Sequence, residues 1–530
     1  MSIINIIIKK IFDNSYISFF IILCFTIYTY DEFLTNQYAP SSDGVRIHTF
    51  LTLVQSFPEI IPTWNPMLYH GFPLLFEFED YFLESFLIKA DSKYFNIWLN
   101  CLFYIFCSIS VFLCFFYNFK FIFKSSVIGL LASIIILVSV SYQSNFFHGR
   151  LFNFRGFIYM GLAIFFYIQF FKSINLNFKI LFYLLSSFFA CMAMLMWVHY
   201  YLNFCIIIFL TIFCTLENNE AFYKALLISI KKFTIFSVVG LIICAPFLIT
   251  KIDGFFSSDI SSGTISYIFR SGYSTLTIAG FEIFFLLSIF FREKKYNNLF
   301  YLNCIFLLYG FFPQLITSSE FLFHMWKQIP ILSLIRNDIG FIFVRETSYL
   351  ISCGIFMSYL SKNKSFLEKK YIVVFLITLI YLLINIILSK YTYQQAFLAI
   401  LFLYITFILF SKNNFVPKNK SLFLIFGLLL VCLKIDKAPM ASNNFYKNHH
   451  NLKLISNNDE NENYYSWFRY QNFNPYIKTM NKVRPFSMYF NKDYRVALEA
   501  LYQRKIYVQR LHWIGNLRYD TYYKKLNKRT

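Results

Sequence analysis

Apolar residues run along this chain in long blocks, without the period-2 alternation of a half-buried strand or the one-faced spacing of a surface helix. A hydrocarbon core about 30 Å thick takes roughly 17 to 25 apolar residues per helix. Thirteen blocks fall at or near that length: residues 15–30, 96–118, 125–142, 156–171, 179–197, 200–216, 233–250, 274–291, 299–318, 347–361, 371–389, 394–411 and 420–434. The pattern predicts an all-α polytopic membrane protein of about thirteen transmembrane helices. Lys9 and Lys10 precede the first block as in a signal peptide, but residues 26–30 offer no small-residue cleavage site, so the block reads as a signal anchor.

Polar residues between the blocks set the expected orientation, because short basic loops stay on the cytoplasmic side. With the N-terminus inside, every second loop is basic: Lys120/Lys124, Lys172/Lys179, Lys224/Lys231/Lys232, Arg292/Lys294/Lys295, Lys362/Lys364/Lys369/Lys370 and Lys412/Lys418/Lys420. The alternate loops are longer and mixed in charge. This predicts a multi-pass protein of the bacterial cytoplasmic membrane, with the first large loop and the C-terminal tail outside. Residues 1–434 form the membrane domain, 435–463 a polar linker and 464–530 a small extracytoplasmic α+β appendage.

Composition agrees with the block pattern: 58% of residues are apolar and 14% charged. The formal charge of +21 is explained by basic faces toward anionic lipid headgroups, and a nucleic-acid partner is discarded. The tail alone holds 17 Lys/Arg against 7 Asp/Glu, so part of the excess charge lies apart from the basic loops. The 72 Phe and 40 Tyr read as lipid-facing bulk. All eleven cysteines fall inside apolar blocks and read as small hydrophobes; without a CxxC pair or a Cys/His cluster, neither a disulfide framework nor a structural zinc site is expected.

The first outside loop, residues 31–95, is long among short connections and is where chemistry is expected. Ser41-Ser42-Asp43-Gly44 is a helix-start signal, and Ile47, Phe50, Leu51, Val54 and Phe57 follow at helical spacing, predicting an amphipathic helix on the membrane surface. Pro62-Thr63-Trp64-Asn65-Pro66 and Gly71-Phe72-Pro73 then predict a rigid, turning segment. Asp43 is either the N-cap of that helix or, with Ser42 capping, a carboxylate free to accept a proton or hold a divalent cation. Glu77, Glu79, Asp80 and Glu84 either add a carboxylate or form a solvated surface.

Asp43-Gly44 with His48, then Trp64-Asn65-Pro66 and Gly71-Phe72-Pro73, all after the first span, resembles the large bacterial membrane proteins of the YfhO and PTPS-related (6-pyruvoyl-tetrahydropterin synthase-related) type. That group is similar to the GT-C glycosyltransferases. The likeness extends to Arg155-Gly156, to His199 at an outside turn, and to Ile329-Pro330-Ile331-Leu332 followed by Arg345, over about the first 360 residues. It implies a GT-C-like fold and an enzyme that moves a sugar from a polyprenyl-phosphate donor to a cell-envelope glycan or lipid acceptor on the outer side. Asp43 is implied as the general base or metal ligand, with no cofactor certain beyond a possible divalent metal. Arg46, His48, Arg150, Arg155, His199 and Arg345 join it as expected substrate-binding residues. A lipid phosphate leaving group needs cationic stabilisation, which the expected outside positions of Arg150, Arg155 and Arg345 suit; the alternative is that these arginines snorkel to lipid headgroups.

Two other classes remain open: a lipid-linked oligosaccharide flippase or transporter, and a polysaccharide polymerase. The first turns on Glu282, expected near the middle of the 274–291 span, where a carboxylate is neutral, paired or functional. Asn100, Asn203, Asn303 and Asn385 read as interhelical glue. His148 and His199, at outside helix ends, read as interfacial residues or as ligands beside Asp43.

Overall fold

The computed structural model describes residues 14–30, 64–65, 72–73, 95–137, 139, 141–142, 145, 151–196, 198–216, 220–246, 282–312, 321–322, 325 and 339–362. Apart from one two-residue ladder, this part is helical. In chain order the elements are α1 (Ser15–Thr29), β1 (Trp64–Asn65), β2 (Phe72–Pro73), α2 (Phe95–Val111), a π-helical turn (Phe112–Tyr117), α3 (Asn118–Phe123) and α4 (Ser126–Leu137). Then come α5 (Leu151–Lys172), α6 (Leu176–Met196), α7 (Val198–Leu216), α8 (Phe222–Ile243), α9 (Glu282–Phe290), a 3₁₀ turn (Lys294–Tyr296), α10 (Asn297–Gly310) and α11 (Ile339–Lys362).

Five helical stretches among the described residues are long and apolar enough to cross a membrane: Cys101–Phe123, Asn153–Lys172, Leu176–Met194, Phe222–Ile243 and Gly340–Tyr359. Three shorter apolar helices, Ser15–Thr29, Ser126–Leu137 and Cys205–Leu216, accompany them. These are the features of a membrane-embedded, multi-pass protein. The spans expected at 371–389, 394–411 and 420–434, and the linker and tail, lie outside the described residues.

Local chemistry sets several helix ends. Asn14 caps α1, its side-chain oxygen accepting from the Tyr16 backbone N–H at 2.9 Å. Lys124 ends α3 in the left-handed conformation (φ 53°), and the Ser125 hydroxyl then accepts from Ile128 N–H at 3.4 Å, so the chain reverses directly into α4. Three helices depart from the apolar blocks. α8 begins at Phe222, eleven residues before the expected 233, so Lys224, Lys231 and Lys232 lie on a helix face and not in a loop; all three are exposed. α5 begins at Leu151 and α11 at Ile339, both upstream of the expected starts and both taking in charged residues. Arg155 of α5 and Arg345 and Glu346 of α11 are enclosed by the bundle, whereas the lysines of α8 lie exposed along its first half; apolar run length reports neither arrangement.

α11 is the central element, buried from residue 340 to 358 and packed on α10, α9, α7 and α4. α5 and α6 form the most extensive helix pair. α5 approaches the π turn closely at Gly161, where a Cβ would stand 2.3 Å from Leu113 Cβ and 3.2 Å from Cys114 N; the Cys114 thiol there donates to Phe157 O at 2.9 Å. The expectation that aromatics are lipid-facing bulk holds only in part. Tyr16, Phe20, Phe178, Tyr223 and Phe290 are exposed, but the largest fully buried side chains include Tyr30, Tyr142, Phe103, Phe115, Phe116, Phe119, Phe154 and Phe157. Wide planar rings fill the space between helices that have few small residues to bring them closer. Asn303 acts as the interhelical glue expected, its Nδ2 donating to Ser348 O (3.1 Å) and Ser352 Oγ (2.8 Å) across α10 and α11.

Candidate functional site

Contacts between helix ends divide the bundle into two poles. At one, the Phe123 and Tyr296 rings are 5.5 Å apart, Ser358 Oγ donates to Glu293 Oε1 at 3.1 Å, and Asn298 Nδ2 donates to Glu220 O at 3.0 Å. The basic residues Lys120, Lys124, Lys172, Lys179, Lys224, Arg292, Lys294 and Lys295 belong to the helix ends and turns of this pole.

At the other pole α1, α4 and α10 finish while α5, α7 and α11 begin. Its interior is polar although it is buried. The Tyr30 hydroxyl donates to Leu137 O at 2.5 Å, and the Tyr104 hydroxyl donates to Tyr30 O. One turn back, Ser108 Oγ donates to Thr26 Oγ1 at 3.0 Å. Asn153 Nδ2 donates to Asn145 Oδ1 at 2.6 Å, and Asn145 Nδ2 to Ser141 O at 2.8 Å, tying the start of α5 to the segment that follows α4. An aromatic wall runs beneath them: Tyr142 stacks on Phe157 at 5.1 Å, and Phe157 stacks on Phe343 of α11 at 6.0 Å.

Three ionisable side chains lie in this layer. Arg155, in the second turn of α5, is 4% exposed; Arg345 and Glu346, in the second turn of α11, are 2% and 0% exposed. With 1.5 Å rise per residue, Arg155 stands about 6 Å and Arg345 about 9 Å inside the start of its helix. The Arg345 guanidinium lies over the Phe311 ring, 5.1 Å from its centroid, and Gly310 makes room for its stem. The Glu346 carboxyl is near enough to Tyr30 to act on it electrostatically. Thr347 and Ser348 extend the polar run and are also buried.

Both arginines therefore lie buried on helices of the bundle and not in flanking loops. The structure brings Arg155 and Arg345 to the same pole. His199 lies on the first turn of α7, and Glu282 is the first described residue of α9, the preceding part of the expected 274–291 block lying outside the described residues; neither side chain is described. Asp43, Arg46, His48, His148 and Arg150 lie outside the described residues. The turning segment of the first loop is present: β1 and β2 pair antiparallel, Trp64 opposite Pro73 and Asn65 opposite Phe72. Among the described residues no group of three or more His, Cys, Asp or Glu is placed to hold a metal ion.

Glu346, Tyr30, Tyr104, Asn145 and Asn153 belong to this layer and were not singled out from the sequence. The available signal was the run Arg345-Glu346-Thr347-Ser348, four polar residues abutting an apolar block. Arg345 and Glu346 read as the approach to a span starting at 347, whereas the helix runs through them from Ile339. The chain matches no family model, no curated protein and no solved structure.

Proposed function

We propose that the protein is a GT-C-like membrane glycosyltransferase that moves a sugar from a polyprenyl-phosphate donor to a cell-envelope glycan or lipid acceptor. The observation that carries this reading is the burial of Arg155 and Arg345 at one pole of an apolar bundle, opposite the lysine-rich pole. An arginine within a membrane bundle costs roughly 2.5 to 3.5 kcal/mol on insertion scales, so such residues mark binding sites. A guanidinium presents a planar fork of donors that matches phosphate oxygens, and a ligand carrying a phosphate on a long apolar chain fits a cationic site within hydrocarbon.

In the reaction, the acceptor oxygen forms a bond to the anomeric carbon as the bond from that carbon to the phosphate oxygen breaks. Asp43 accepts the hydroxyl proton, and Arg155 and Arg345 take the negative charge that develops on the leaving phosphate. A single displacement inverts the anomeric centre. The basic pole faces the cytoplasm on this reading, and the arginine pole faces outward with the first loop.

The test is Asp43→Asn, Arg155→Met and Arg345→Met in membranes, assayed for transfer of labelled sugar from polyprenyl phosphate. Each variant should stay membrane-embedded and lose about 10²- to 10³-fold in rate. Undiminished transfer by Asp43→Asn sinks the reading. One observation favours a second reading, a lipid-linked oligosaccharide transporter: Glu346 is a fully buried intramembrane acid of the type that proton-coupled carriers use. In that case Glu346→Gln stops translocation while Asp43→Asn is silent.

A further inference from the structure

On α6 and α8, two cysteines from different helices meet. Cys191 lies on α6 and Cys244 caps the C-terminus of α8; both are buried, at 3% and 0% exposure. They form a cluster of their own, apart from the main core, flanked by Phe188 and Met192. The helices touch here because Gly240 lies against α6: a Cβ on Gly240 would stand 2.6 Å from Ser187 O and 3.4 Å from Cys191 Cβ. Cys244 follows Gly240 by one helical turn, on the same face. Its thiol lies 3.7 Å from Phe188 O, and the two cysteines pack against one another as buried neighbours.

We propose that Cys191 and Cys244 are a redox pair that closes to a disulfide between α6 and α8 by exchange with a disulfide oxidant. A thiolate from one cysteine attacks a sulfur of the oxidant, forming a mixed disulfide and releasing one oxidant thiol. The second cysteine loses its proton and attacks the protein sulfur of that mixed disulfide, expelling the second oxidant thiol. Two S–H bonds and one oxidant S–S bond are exchanged for one protein S–S bond and two oxidant thiols, so the electrons balance. Access runs through the end of α8, where Cys244 closes the helix and the helical ladder opens most readily. The neighbouring Leu241 and Ile242 are exposed on the outer face of the bundle, so a lipid-soluble oxidant reaches this edge.

The consequence is mechanical. α8 is the least buried of the five membrane-crossing helices, and a covalent link to α6 fixes it against the α5–α6 pair. Reduction frees it.

The full chain, reduced and in lipid vesicles, is treated with 4,4′-dithiodipyridine, quenched by alkylation under denaturing conditions and mapped by peptide mass spectrometry. The expected result is a Cys191–Cys244 linked peptide, two of the eleven thiols lost to it, and their return on dithiothreitol treatment. In Cys191→Ser and Cys244→Ser the surviving partner appears as a free thiol or a thiopyridine adduct, with no linked peptide. The proposal is overturned if Cys191 and Cys244 carry separate adducts in the unsubstituted protein. It is equally overturned if both stay free while exposed Cys24 carries the adduct.

Discussion

Substituting Gly310 tests how Arg345 is held. A Cβ at Gly310 would stand 2.4 Å from Arg345 Cγ, 3.1 Å from its backbone N and 3.3 Å from its Cα, where ordinary contact begins at 3.4 Å. The backbone atoms would need to yield by 0.3 Å (3.4 minus 3.1) or less, but the stem by 1.0 Å (3.4 minus 2.4). Arg345 is buried and its guanidinium rests on Phe311, so the stem has little space into which to turn. Overpacking of this kind costs about 1 to 3 kcal/mol. Displacing the cation from the ring adds roughly 0.5 to 2 kcal/mol. The better helix propensity of alanine returns about 1 kcal/mol. Gly310→Ala should therefore destabilise the protein by about 0.5 to 4 kcal/mol in reversible unfolding from mixed micelles. The decisive measurement is the cycle with Arg345→Ala, which removes Cγ: Gly310→Ala should then cost at least 1 kcal/mol less, since neighbours that share a contact are not additive. Equal costs in both backgrounds, within about 0.5 kcal/mol, would refute the wedge.

Three further outcomes follow from the same contacts. Tyr30→Phe removes the donor to Leu137 O and leaves a buried carbonyl without it, so it should lower stability by about 1 to 3 kcal/mol in the same unfolding assay. The Asn145–Asn153 bond should show a coupling of about 0.6 to 1.7 kcal/mol in a double-alanine cycle, the range for interhelical polar pairs in membranes, and no coupling would mean the contact adds nothing. Lys124→Gly should stabilise by about 0.5 to 1 kcal/mol, because relief of the left-handed backbone strain outweighs the extra freedom of glycine in the unfolded chain; a loss of stability would show that the lysine side chain outweighs its backbone.

Much of the helix order was legible because apolar block length reports the hydrocarbon thickness directly. α1, α6 and α7 lie within a few residues of the expected 15–30, 179–197 and 200–216. α8 and α11 show where that logic breaks. α8 is the most apolar of the five crossing helices and the least buried; α11 is the least apolar and wholly buried. Apolar character in a bilayer records contact with lipid, which excludes charge, whereas a helix enclosed by other helices needs only partners for its polar groups. A reading that ends a span at the first charge therefore fails at both: on the outer α8, where exposed Lys224, Lys231 and Lys232 lie on the helix itself, and on the enclosed α11. It misplaced the start of α11 by eight residues, from 339 to 347, and with it Arg345 and Glu346. The arginines were named but put at an interface, and Glu346 was passed over because its neighbours made it look like a loop residue. Tyr30 was invisible for a different reason. Among 40 tyrosines, its role depends on Leu137 and Tyr104, partners 107 and 74 residues away in the chain, and no local spacing encodes that meeting.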